Sequence, residues 1–464
     1  MRRALGRERR PAGTLAAALL IAGALLAGCS SSSPDSAAGG PPSTTAGSSP
    51  TAPTTLPPET LTFGVFGNAD EVAAYQQMTK LFAPLSRQVT VKVESWPDHT
   101  SMLDAIQQGA AVPDVFIASR SDLAWLQQHQ VVQPVDGMLD DRGVDFGDDY
   151  PRDALTAFAG NNHLTCLPYG ISPEVIFYNK ALVRFDHMHF DPPTPGQGWS
   201  LQQFKNSARW AMRHHAGTSG FYVDPTLQGL SPFLYSGGGQ VFDNQTQPTS
   251  TAFSSSASLA ALRRSLGVLG RKDLTLTPQQ LLAKTPLEWF QAGKLAMIEG
   301  DRSLVPRLRS VLGLNFDVMP IPSVSAPKTV AGMTGLCVSA NATDAATAAD
   351  FVAYASSPDA LGEVAAAGYL QPANQTVALS AAFQQPGHLP QHSSVFTFAV
   401  KSAVIPPLLL HQDELEQRLD PLVAQLFSQP TDRIGALADQ IDRTSHPYLA
   451  VPTTSASPAA SPSS

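Results

Sequence analysis

Hydrophobic and polar positions divide the chain into three regimes. Residues 15–28 are fourteen apolar or small residues in succession, preceded by five arginines at positions 2, 3, 7, 9 and 10. Residues 30–58 and 450–464 are almost wholly Ser, Thr, Pro, Ala and Gly, a composition that cannot bury enough apolar surface to offset the entropy of ordering. The body between them, Glu59 to Leu449, alternates short apolar runs with helical patterns, which predicts α/β layering. Thr60 to Gly67 reads as a strand that leads into a helix with Val72, Tyr75, Met78 and Phe82 on one face, capped by Asn68 or Asp70. Val89 to Trp96 alternates as a strand, Ser101 to Ala110 reads as a helix, and Pro113 to Ser119 as a third strand. Three strand-helix steps in about sixty residues predict a parallel sheet, and in such sheets ligands bind beyond the carboxyl ends of the strands.

Later elements follow the same logic. Ser200 and Gln203 form a capping-box pattern ahead of Leu201, Phe204 and Ala208. Thr285 to Ser303 predicts a helix stopped by Gly293, a short strand and a loop. Phe316 to Ala360 predicts two strands around a proline-rich turn, then a helix capped by Thr343 or Asp344. The stripes Leu415, Leu419, Leu422, Leu426 and Ile434, Leu437, Ile441 are core faces of two closing helices.

The body of about 390 residues is too long for one core and predicts two domains. Hydrophobic residues make up 43% of the chain and charged ones 15%, with a formal net charge of −8. No Lys/Arg-rich stripe occurs beyond the first ten residues, which excludes nucleic acid as the expected partner. The basic start and short apolar run have the layout of a secretory signal, about 20 Å long if helical and too short to span a bilayer comfortably. Leu26-Ala27-Gly28-Cys29 resembles the bacterial lipobox, which implies a signal peptide over 1–28, a lipid such as palmitate on Cys29, and a tether over 29–58 lifting the body off the membrane. The competing reading is an ordinary signal peptide with an incidental cysteine. Cys166 and Cys337 remain, and an even pair in an exported chain is either a disulfide or two buried thiols.

Catalytic signatures are missing from the sequence: there is no HExxH, CxxC, Walker loop, GxGxxG or GxSxG. The histidines are scattered, so no metal and no cofactor is expected. Asp140-Asp141 and Asp148-Asp149 read as turn residues.

The positive signal is an ordered set of phrases: "PDVFIASRSDLAWLQQHQVVQPVD", "LPYGISPEVIFYNKALV", "GWSLQQF", "LYSGGGQVFD", "WFQAGKLAMIEGDRS", "AGMTGLCVSANA", "AADFVAYASSPDA" and "GYLQPAN". Together they resemble the extracellular solute-binding proteins of carbohydrate ABC importers, the group that includes maltose-binding protein, over about Leu61 to Asn374. The resemblance implies two α/β lobes that close on a ligand around a hinge. Lobe one would hold 59–168 and 314–372, and lobe two 169–313 and 373–449, with 450–464 a disordered tail. It also puts Cys166 and Cys337 on adjacent hinge strands, which favours a disulfide closing a loop of about 170 residues, worth about 3–5 kcal/mol.

By position in the family, Asn68, Asp70 and Glu71 would offer hydroxyl contacts from the first-strand loop, and Ser119, Arg120 and Asp122 from the third. Tyr169 and Ser172 would come from the hinge run, and Met333 from the loop beside it. Tyr235 and Gly237, then Gly300, Asp301 and Arg302, would come from lobe two, with Trp96 and Trp199 as lesser candidates for platforms. Arg302 stands where many relatives carry a tryptophan, so the ligand would be more polar than maltose or anionic; otherwise Arg302 is a surface ion pair. The resemblance implies a monomeric, lipid-anchored receptor that hands a sugar or sugar derivative to ABC permease subunits and is not an enzyme. The alternative is an exported carbohydrate-binding or carbohydrate-active lipoprotein not coupled to transport.

Overall fold

The computed structural model describes residues 59–82, 89–160, 162–188 and 198–449. The signal, Cys29, the tether and the tail lie outside the described residues.

The first strand, β1 (Glu59–Phe66), ends at a glycine, and α1 (Ala69–Thr79) starts where Asn68 Oδ1 accepts from the backbone N–H of Asp70 at 3.0 Å and Glu71 at 3.1 Å. That cap satisfies two donors that the helix leaves open, and α1 buries Val72, Tyr75 and Met78. After β2 (Val89–Trp96), α2 (His99–Gln107) begins two residues earlier than its apolar pattern predicts. Asp98 accepts from Ser101 N–H at 2.7 Å and fixes the start there. Then comes β3 (Val115–Ser119), and β1 is parallel to both β2 and β3, as expected.

The sheet as a whole is mixed. After α3 (Arg152–Ala157), β4 (Cys166–Pro173) enters it, and Glu174 alone separates β4 from β5 (Val175–Asn179), which belongs to a second sheet. Two helices of that region are α4 (Leu201–His214), with the expected capping box, and α5 (Leu227–Ser236). They are followed by α6 (Ser256–Leu269), β6 (Met297–Gly300) and β7 (Phe316–Pro320). The second sheet has the order β7-β5-β6 and is antiparallel throughout, a correction to the parallel-type sheets expected on both sides. The long strand β8 (Thr329–Ser339) returns to the first sheet, antiparallel to β3 and β4. It is followed by α7 (Ala345–Ala355), α8 (Gln375–Leu379), α9 (Ser394–Val400), β9 (Ala403–Val404), α10 (Gln412–Ser428) and α11 (Gly435–Leu449).

Two passes of chain link the sheets, β4 into β5 and β7 into β8, and a third segment, Gln371–Ala373, lies on β4 through Ile171 N–H to Gln371 O at 3.0 Å and Ala373 N–H to Tyr169 O at 2.9 Å. Cys166 and Cys337 are register partners on β4 and β8 and form a disulfide. Two apolar cores result. One lies about the first sheet and extends to Phe177 and Phe316; the other packs α4, α5, α6, α10 and α11 on the opposite side of the second sheet.

Candidate functional site

Where the sheets face each other the chain leaves a cleft with two cavities that share Gln228. The first, about 260 Å³, lies between the end of β3, the middle of β8, α5 and α10. Ser119, Arg120, Tyr235 and Met333 line it, all expected from the sequence, with Gly332 beside Met333. His99, Gln412 and Glu416 line it too. The Arg120 guanidinium is held by carbonyls, with Nε donating to Ala157 O at 3.0 Å and Nη1 to Pro406 O at 2.8 Å. No carboxylate is paired with it in those contacts, and burial lowers its pKa to about 10. Asp122 is buried, and its two oxygens each stand 3.1 Å from His99 Nδ1. That hydrogen bond raises the His99 pKa, so Asp122 acts on the cavity by orienting His99 and favouring its protonated form.

The second cavity, about 350 Å³, is walled by acids: Glu174, Asp224, Glu299 and Asp301, beside Tyr222 and Gly300. Gln228 Nε2 donates to Glu174 Oε1 at 3.0 Å. Glu299 Oε1 is buried with no hydrogen-bond partner. Burial, then the charges of Asp301 and Asp224, raises the pKa of Glu174 to about 8. Burial, then the charges of Glu174 and Asp224, pushes Glu299 well up, and burial raises Asp224 and Asp301 as well. Glu71 belongs to the same field from the α1 side: burial, then the charge of Asp301, raises it to about 7. Like charges brought together out of water hold their protons more tightly.

Several expected residues are placed elsewhere. Arg302 is 0% exposed and lies in neither cavity. Asp301 takes the cleft side of the loop and the next side chain points away, into a layer built by residues 368–396. There Nε donates to Gly368 O at 3.1 Å, Nη2 to Phe383 O at 3.0 Å and Nη1 to Ser393 Oγ at 3.3 Å. The guanidinium carbon also stands 4.6 Å from the centre of the Phe383 ring. Arg302 is therefore neither an anion contact nor a surface ion pair. Tyr169 is likewise core, 1% exposed with an unpartnered hydroxyl, because β4 is central and packed on both faces. Ser172 pairs with Gly332 on β8 and lines neither cavity. Asn68 is spent as a helix cap, and Asp70 is exposed, taking a hydrogen bond from Tyr369 Oη at 3.4 Å. Gly237 serves packing: a Cβ there would stand 2.4 Å from that of Ala261. Trp199 is core, its Nε1 donating to Pro320 O at 2.7 Å, and Trp96 lines neither cavity.

Sequence reasoning placed Asp301 but missed Glu174, Asp224, Glu299 and His99. Glu174 and Glu299 each interrupt or end an apolar strand run, in "GISPEVIF" and "LAMIEG", and a carboxylate at the mouth of a buried strand was the available signal.

A family model for bacterial extracellular solute-binding proteins matches residues 72–391. The chain belongs to that family. Its members bind solutes outside the cytoplasm, and among the described residues no helix is long and apolar enough to cross a membrane. A sequence search of curated proteins finds no match. Solved structures share the fold of this solute-binding protein at low identity. The ABC substrate-binding protein from Listeria monocytogenes in complex with cycloalternan is 17% identical, with a TM-score of 0.68 over 83% of this chain and 98% of that one. The GacH receptor of Streptomyces glaucescens, studied with acarbose, is 21% identical, with a TM-score of 0.68 over 84% and 99%. The Listeria monocytogenes maltose-binding protein in complex with maltose is 19% identical, with a TM-score of 0.65 over 84% and 97%. These likenesses establish the two-lobed α/β binding-protein fold.

Proposed function

We propose that the protein is the lipid-anchored receptor of an ABC importer, taking a carbohydrate or carbohydrate derivative into the cleft and passing it to a membrane permease. By the family order the lobes would divide at 168/169, 313/314 and 372/373; the chain itself leaves one sheet for the other at Glu174 and between Pro320 and Thr329, so the first two divisions would move to those points. The lipobox-like Leu26–Cys29 and the Ser/Pro-rich stretch after it support anchoring at Cys29 on the outer face of the cytoplasmic membrane. The neighbours named above were solved with cycloalternan, acarbose and maltose, which supports a saccharide as the ligand class.

The observation that carries this reading is the cleft itself. Tyr235 and Met333 give one half of it flat or polarizable apolar surface for the CH faces of a sugar, with His99, Arg120 and Ser119 as polar contacts. Glu174, Asp224, Glu299 and Asp301 give the other half acceptors for hydroxyl or ammonium donors. Those acids disfavour a phosphate, and Arg302 is not available to bind one. The ligand is therefore a neutral or amine-bearing carbohydrate.

Equilibrium dialysis of the protein against a mixture of oligosaccharides and amino sugars, followed by mass spectrometry of what it retains, tests the receptor. A retained carbohydrate released unchanged is expected; a released product of altered mass would make the protein an enzyme. For the anchor, metabolic labelling with palmitate should mark the chain and send it to the membrane fraction, and Cys29→Ala should abolish both. Deleting the cognate permease should stop uptake while leaving ligand binding intact.

A further inference from the structure

The antiparallel register of the second sheet decides which acids meet. Val175 on β5 stands opposite Gly300 on β6 and Ile176 opposite Glu299, so the next step outward brings Glu174 to Asp301. Like charges directly across a strand pair cost stability, and Asp224 and Glu299 add theirs to the same cavity wall. No Lys, Arg or His lines that cavity, and every charged neighbour that acts on Glu174 or Glu299 is another acid. Farther out, Glu71 adds negative charge beside Asp301, and Asp420 beside Asp224. Arg307 is the cation nearest this field, and it acts on Glu71.

Glu174 is the acid best placed to meet a ligand. The residue is 9% exposed, Gln228 takes its Oε1, and its Oε2 has no donor from the protein. Glu299 Oε1 is sealed from the cavity and acts through its charge, whereas Glu174 Oε2 is not sealed. A carboxylate withdrawn from water and short of donors is costly until a donor or a cation reaches it. Among the described residues no group of three acids, histidines or cysteines is arranged to hold a metal ion. An ammonium on a larger body answers the charge instead: it has three donors on one centre, and Tyr222, Leu287 and Leu304 of the same cavity give the body apolar surface. We infer that the ligand carries a protonated amine, that this ammonium sits in the acid half against Glu174, and that its arrival drives a carboxyl proton into solvent. The empty cavity keeps that proton because its acids crowd one another, and the ammonium brings positive charge in its place. The inference rests on the carbohydrate-receptor reading of the cleft and narrows its ligand to the amine-bearing class.

Calorimetric titration of the full chain tests it, with glucosamine and its β-1,4 oligomers beside glucose and its β-1,4 oligomers, which differ only by ammonium for hydroxyl at C2. At about pH 6.5 the amine series should bind on the order of a hundredfold more tightly. It should release about one proton per ligand, read as a binding heat that changes with the ionisation enthalpy of the buffer, and its affinity should fall about tenfold per pH unit below that point. Glu174→Gln should narrow the preference for the amine and remove most of the proton release. Equal affinity of the two series, a binding heat independent of buffer, or an undiminished preference in Glu174→Gln would overturn the inference and leave the carbohydrate receptor standing. If neither series binds, the carbohydrate retained in dialysis decides: one without an amine overturns the inference alone, and nothing retained overturns both readings. The comparison of the two series on the unaltered chain holds even if the variant does not fold.

Discussion

The two halves of the cleft differ in charge and in origin. The half beside β8 is drawn from five separated segments and mixes a tyrosine, a methionine, a histidine and a carbonyl-held arginine. The half against β6 concentrates four acids from Glu174, the Tyr222–Asp224 segment and the end of β6. The first is suited to a sugar's ring faces and the second to its donors. A ligand that spans Gln228 would meet both, and the acid half decides the sign of charge it can carry.

The largest effect expected lies outside both halves. Arg302→Ala removes the donors to Gly368 O, Phe383 O and Ser393 Oγ and empties the space against Phe383, and should cost roughly 3–5 kcal/mol of stability by chemical denaturation. Ligand affinity of the folded fraction should not change. A loss of binding without a loss of stability would return Arg302 to the acid half and break the comparison.

Within the cleft, Glu174→Gln combined with Glu299→Gln should weaken the retained ligand on the order of a hundredfold by calorimetry, since bound donors favour the ionised carboxylates and an amide cannot ionise to meet them. Tyr235→Ala in the other half should cost about tenfold, the scale of one aromatic platform. If the order of these two effects were reversed, the ring-face half would dominate recognition.

The smallest effect is on pH dependence. The folded-state pKa of Glu174 is raised from 4.5 to about 8 and that of Glu71 from 4.5 to about 7. The unfolded chain gives up these protons near pH 4.5 while the folded protein keeps them, so the stability they contribute is complete below pH 4.5 and is lost as pH rises to about 8. The unliganded protein should melt a few degrees lower at pH 8 than at pH 5. Glu174→Gln should flatten that slope by raising the melting temperature at pH 8, whereas an unchanged slope would remove Glu174 from the acid field.

Local pattern made the framework legible. Strand alternation gave β2 its limits, the Asn68 and Ser200 caps mark where their helices begin, and the order of phrases revealed the family and hence the disulfide. The cavity half beside β8 was also legible, because Ser119, Arg120 and Met333 stand at strand positions that the family order locates. The acid half was not. Its character depends on which of two neighbours, Asp301 or Arg302, faces inward, and that is set by acceptors 66 to 91 residues farther along the chain. The antiparallel second sheet was hidden for a similar reason: short apolar runs look the same whichever way they pair.

The most direct test is a matched-pair thermal shift, in which each carbohydrate that stabilises the protein is measured beside its own phosphate ester. At a hundred times its dissociation constant a ligand should add about 2.7 kcal/mol, a rise of a few degrees in melting temperature. Stabilisation by a neutral or amine-bearing carbohydrate, with its phosphate ester inert, is the predicted result. Stabilisation confined to the phosphate esters would contradict the acid-walled receptor.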